Sequence, residues 1–127
     1  MAAPLKLVQS IAWIAFFCLL IGGQAQSQCS YKDILVTESR TGNFIHGKPQ
    51  YHVVIRNNCA CAQSGIQLDC TGFTSVDEIK PTILRRAGNV CILIQGRTLN
   101  QGDWAHFKYA ADNQFWFNPI SSDPSCR

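Results

Sequence analysis

Cysteine offers the clearest chemistry in this chain. Of seven cysteines, Cys18 lies in an apolar N-terminal run and Cys29, Cys59, Cys61, Cys70, Cys91 and Cys126 spread over everything downstream. Thiols can pair oxidatively, hold a soft metal or exchange disulfides, and Cys59-Ala-Cys61 bears on that choice. Paired zinc ligands usually stand two to four residues apart, and a redox dithiol usually has two residues between its sulfurs. A one-residue spacer suits neither. In an extended strand, residues two apart face the same way, so each sulfur reaches a different partner elsewhere. Structural disulfides are the expected chemistry, with no metal and no cofactor. The connectivity is not readable, although the spacing disfavours a Cys59–Cys61 bridge.

The remaining reactive groups are sparse. His46 falls in a turn, while His52 and His106 sit beside Tyr51 and Phe107 at alternating, outward positions. They are expected to be solvated, because no triad can be argued from separation alone. Asp77 and Glu78 are adjacent and face differently, which is poor geometry for an acid/base pair. No glycine-rich phosphate cradle occurs. The chain is therefore not expected to be an enzyme. Arg85-Arg86, Arg97 and Trp116 are the candidate contacts to a protein partner. If Phe115 and Phe117 point inward, Trp116 points outward by strand parity. Trp104 follows a Gly-Asp turn and is expected to plug one end of the core.

The elements that must hold these groups are strands. Tyr31–Glu38, Tyr51–Asn57, Ile66–Cys70, Cys91–Gln95, Trp104–Ala110 and Phe115–Phe117 alternate apolar with polar residues or run short and apolar. Between them, Thr41-Gly-Asn43, His46-Gly-Lys-Pro49, Arg86-Ala-Gly-Asn89, Asn100-Gln-Gly-Asp103 and Ala111-Asp-Asn113 carry turn residues. Val76–Arg85 has room for one helical turn, which Pro81 limits. The expected fold is all-β, a small disulfide-stapled β-sandwich.

The N-terminus reads as a secretory leader. Lys6 precedes the uncharged stretch Ile11–Ile21, Gly22-Gly23 breaks it, and Gly23-Gln24-Ala25 presents small residues for cleavage. The expected organisation is a signal peptide over 1–25 and a cysteine-rich domain over 26–127. The apolar run is too short for a comfortable membrane span, so export to the extracellular space is expected, with no membrane span after cleavage. An even cysteine set behind a leader fits that oxidising compartment. The net charge of +3 is too weak for a nucleic-acid partner.

Several motifs together resemble the tapetum determinant family of plant secreted proteins. They are Gly47–Asn57, then Cys59, Ile66–Ser75, Ile79–Pro81, Gly88–Cys91, Gly102, Phe107–Ala110, Pro119–Ser122 and Cys126. The resemblance runs from Cys29 across the rest of the chain. It implies an exported cysteine-rich ligand that binds the ectodomain of a leucine-rich-repeat receptor kinase and acts in cell fate. The founding members carry a longer dibasic segment before the cysteine domain; here only Gln26–Gln28 separate leader and domain. A narrower likeness, in Tyr51–Asn57, Ile66–Leu68 and Gly102–Tyr109, is to the C-terminal sandwich module of some plant cellulases. It implies the alternative function, an extracellular module that binds cell-wall polysaccharide.

Overall fold

The structure is a computed structural model that describes residues 28–126. The expected leader over 1–25, its cleavage point and Cys18 lie outside the described residues. Among the described residues seven strands run in chain order: β1 Ile34–Ile45, β2 Lys48–Asn57, β3 Ala62–Asp69, β4 Leu84–Ala87, β5 Val90–Leu93, β6 Trp104–Ala110 and β7 Asn118–Ser125. They form a three-stranded sheet, β1-β2-β6, and a four-stranded sheet, β4-β5-β3-β7. All pairings are antiparallel.

The period-two pattern decides what is buried. Tyr51, Val53 and Ile55 of β2 turn inward, as do Ala105, Phe107 and Tyr109 of β6. From the other sheet come Ile66, Leu68, Leu84, Cys91 and Leu93. These residues form one core between the two layers, the arrangement that lets each sheet hide one face. An aromatic cluster fills one side. Phe117 meets Phe107, Tyr109, Phe73 and Phe115 at centroid separations of 4.8–5.7 Å.

The turn chemistry holds at His46-Gly47. Ile45 pairs with Lys48 across a two-residue loop, and both loop residues have positive φ, 50° and 78°. That is the type I′ geometry whose twist matches the flanking strands. Thr41-Gly-Asn43, expected as a turn, is instead a bulge inside β1, where the register jumps between Arg40↔Tyr51 and Phe44↔Pro49. Gly42 takes φ 89° there, and Thr41 Oγ1 donates to Gln50 Oε1 at 2.8 Å. Bulges and turns demand the same residue types, so composition alone cannot separate them. Phe115–Phe117, expected as a strand, belongs to an irregular connection leading into β7. β7, which carries Pro119 and Pro124, is not among the expected strands. Both prolines are tolerated since β7 is an edge strand.

Three disulfides close the fold: Cys29–Cys59, Cys61–Cys126 and Cys70–Cys91. Cys59-Ala-Cys61 thus clips both ends of the domain to the β2–β3 connection, each sulfur taking its own partner. The sulfurs of Cys29, Cys61 and Cys126 lie within 4.8 Å of one another, but all of them are committed to bridges.

A polar knot sits beneath this loop. Asn57 and Gln63 are both fully buried. Asn57 Nδ2 donates to the carbonyls of Cys61 and Leu99, each at 2.9 Å. Its Oδ1 accepts from the Cys59 N–H at 3.1 Å and from Gln63 Nε2 at 3.2 Å. Gln63 Oε1 accepts from the Ser122 hydroxyl of β7. Gln63 and Leu99 also exchange backbone bonds at 2.8 and 2.9 Å. One amide therefore orients the bridge-bearing loop against both sheets.

Glu38 introduces a proton linkage. Its Oε1 accepts from the Tyr109 hydroxyl at 2.7 Å, while Oε2 is buried without a partner. Burial pushes the carboxyl up from its ordinary 4.5, against the hydrogen bond from Tyr109. The folded chain thus holds this proton more tightly than the unfolded chain. The stabilisation from Glu38 is complete below pH 4.5 and is lost as pH rises through the elevated folded value. Glu38→Gln is accordingly expected to raise the melting temperature at neutral pH, with the gain shrinking under acid conditions. Circular-dichroism melts of both proteins across that range check it; a gain independent of pH would contradict the linkage.

Candidate functional site

The outer face of the three-stranded sheet gathers the exposed recognition chemistry. Three rungs cross it, read from the register: Leu35–Arg56–Trp104, Thr37–Val54–His106 and Ser39–His52–Lys108. Inward neighbours on the same strands are core residues, so parity forces these nine side chains outward. None of them is a carboxylate. Trp104 is 57 % exposed and Leu35 is 49 % exposed.

Trp104 therefore does not plug the core. Ala105 occupies the inward position, and the alternation Trp104-x-His106-x-Lys108 puts the indole on the surface. That signal was present in the sequence. The Trp104 and His106 rings stand 5.1 Å apart. The histidines are not independent solvated groups either. His52 Nε2 lies 3.1 Å from His106 Nδ1, with ring centroids 5.2 Å apart and planes nearly perpendicular. They occupy diagonal positions on neighbouring strands, a register no local pattern reveals. Burial, and then the positive charge of His106 and Lys108, holds His52 below the usual imidazole value. The neutral ring is favoured there.

The four expected contact residues do not form one patch. Arg85 and Arg86 face opposite sides of β4. Arg85 pairs with Ile92 on the outer face, whereas Arg86 stands opposite buried Cys91. The Arg86 guanidinium donates to the carbonyls of Phe73, Cys70 (3.1 Å) and Gly88 (2.9 Å). It braces the Cys70–Phe73 turn, so although both arginines are exposed, Arg86 has its guanidinium committed to backbone carbonyls. Arg97 follows the 3-10 turn Ile94–Gly96 and donates Nε to the Ile94 carbonyl at 2.9 Å. Trp116 is 69 % exposed beside β7, at the sheet edge opposite β4. The rung Ala87–Val90–Asp69–Asn118 links those edges, three strand spacings or about 14 Å.

This arrangement offers groups suited to binding. A sheet face with an exposed indole, two imidazoles and two cations can stack against rings and pair with anions. Arg56 and Lys108 flank the aromatic row on two different rungs, so an acidic group can approach from either side.

Comparison with known proteins places the chain. It is 33 % identical to TPD1 protein homolog 1A of Oryza sativa subsp. japonica over 103 residues, which cover 74 % of this chain and 45 % of that protein. It is 32 % identical to TPD1 protein homolog 1 of Arabidopsis thaliana over 101 residues, 77 % of this chain and 55 % of that protein. Identity to rice TPD1 protein homolog 1B is 27 % over 100 residues. The chain spans about half the length of the curated relatives it matches. No solved structure gives a significant match. The family profile described as Tapetum determinant 1, C-terminal, matches residues 30–126, which include every strand and five of the six bridged cysteines, Cys29 standing one residue before the match, and the chain accordingly belongs to the tapetum determinant 1 family.

Proposed function

We propose that this protein is an exported developmental signalling ligand that docks on a receptor-kinase ectodomain through the outer face of its three-stranded sheet. The carboxylate-free aromatic and cationic face, held on a disulfide-clipped frame, carries this reading. Family membership supports the signalling role, and three disulfides fit an oxidising, extracellular location. Among the described residues no helix is long and apolar enough to cross a membrane. A rigid sheet loses little conformational entropy on docking, and a buried indole is a common energetic anchor.

The test is binding of the secreted domain to a panel of leucine-rich-repeat ectodomains. Trp104→Ala is expected to weaken the complex by about 2 kcal/mol, roughly 30-fold. Arg56→Glu with Lys108→Glu should slow association and reduce its salt dependence. If Trp104→Ala binds normally while Trp116→Ala does not, the docking face lies at the β7 edge instead. No micromolar binding to any ectodomain would reject the ligand role.

One observation favours a second reading, a module for cell-wall polysaccharide. An exposed indole on a flat sheet is a surface on which a sugar ring can stack. That reading expects retention on cellulose or xylan that Trp104→Ala abolishes, and quenching of native tryptophan fluorescence by oligosaccharide.

A further inference from the structure

We propose that His52 and His106 form a two-histidine site for a divalent transition-metal ion, Cu²⁺ bound most tightly and Zn²⁺ more weakly. The geometry points to it. The facing nitrogens, His52 Nε2 and His106 Nδ1, are 3.1 Å apart. Two imidazole nitrogens at about 2.0–2.1 Å from one ion, in adjacent tetrahedral or square positions, are separated by about 2.9–3.4 Å. The same separation accommodates a single N–H···N hydrogen bond in the metal-free protein. Metal entry moves that shared proton to the far nitrogen of the same ring, where it faces solvent, and leaves both inner lone pairs for the ion.

The surroundings define the ligand class. An all-imidazole donor pair suits Cu²⁺, Ni²⁺ and Zn²⁺ and does not suit Ca²⁺ or Mg²⁺, which take oxygen ligands. The charged groups facing the pair from β2 and β6 are Arg56 and Lys108, and β1 contributes Leu35, Thr37 and Ser39. Beside the open edge of β6, the cavity that His106 and Lys108 line also takes in Asp77, Glu78 and Lys80. The cations weaken binding without blocking it. Two protein ligands leave coordination positions open toward solvent, where water or a donor from a docked molecule completes the sphere. Metal binding here is independent of any receptor.

Trp104 supplies the readout, because its ring lies 5.1 Å from the His106 ring and bound Cu²⁺ quenches a neighbouring indole. The full chain is secreted as the Trp116→Phe variant and titrated with CuCl₂. Expected are saturable one-to-one quenching, its reversal by excess Zn²⁺, and no response to Ca²⁺ or Mg²⁺. His52→Ala and His106→Ala should each lose the saturable phase, while His46→Ala keeps it. His52→Gln, judged folded by circular dichroism, guards against a packing defect. A Cu²⁺-dependent rise in melting temperature, seen in the parent and lost in the His52 variants, is the second measurement. Quenching that persists in both the His52 and His106 variants, or that never saturates, overturns the site.

Discussion

Asn57→Ala is expected to lower the unfolding free energy by about 3 kcal/mol or more. The substitution leaves three groups without their bond to this amide: the Cys61 carbonyl, the Cys59 N–H and Gln63 Nε2. The Leu99 carbonyl keeps its bond from the Gln63 N–H. Each unsatisfied buried group costs about 1–3 kcal/mol, and a domain of this size has only about 5–15 kcal/mol in total. Asn57→Asp is the sharper variant. It retains the shape and the Oδ1 acceptor but turns the donating nitrogen into an oxygen facing two carbonyls, in a site with no exposure. It should destabilise at least as much as the alanine. Ser122→Ala removes only one partner of Gln63 and should cost less. Guanidinium unfolding midpoints, with an unchanged dependence on denaturant, measure all three. A loss below about 1 kcal/mol for Asn57→Ala would mean that water takes over the amide's bonds.

Replacing Cys61 and Cys126 together by serine is expected to cost about 4 kcal/mol, the largest effect among the three bridges. The reason is chain length. A bridge restricts the unfolded chain more when it closes a longer loop, and the sequence separations are 65 for Cys61–Cys126, 30 for Cys29–Cys59 and 21 for Cys70–Cys91. Loop-closure entropy converts these to about 4.3, 3.6 and 3.3 kcal/mol. The Cys61–Cys126 pair also anchors the residue after β7, so its loss should fray that edge strand first. Unfolding midpoints of the three double-serine proteins, with the remaining bridges verified by mass spectrometry, test the order. Should Cys70–Cys91 prove the costliest, packing of those two buried sulfurs between β3 and β5 outweighs chain entropy.

The outer face of the three-stranded sheet was only partly legible beforehand. Strand parity alone assigns Tyr51, Val53 and Ile55 to the core, and the same parity applied to Trp104–Ala110 places the indole outside. Reading Trp104 as a core plug gave its size more weight than its position. The histidine pair is a different matter. His52 and His106 are 54 residues apart in the chain, and their meeting depends on β2 pairing with β6 at one register. Likewise Arg85-Arg86 reads as a unit along the chain, yet adjacent residues of a strand must face opposite ways, and only β4's place at the sheet edge gives Arg86 three carbonyls to hold.

The amino-acid order by itself determined the class: alternation short enough for strands, glycine and asparagine where the chain reverses, and an even set of cysteines. Those signals are local, arising from backbone sterics and the two-residue repeat of a strand, so they survive without knowledge of neighbours. Tertiary structure alone decided which sulfurs joined, that Thr41-Gly-Asn43 bulges rather than turns, and that a proline-interrupted segment closes one sheet edge. It also decided which side chains share the outer face of the three-stranded sheet. Those outcomes depend on pairing between segments far apart in the chain, and that pairing is settled by burying two apolar faces against each other.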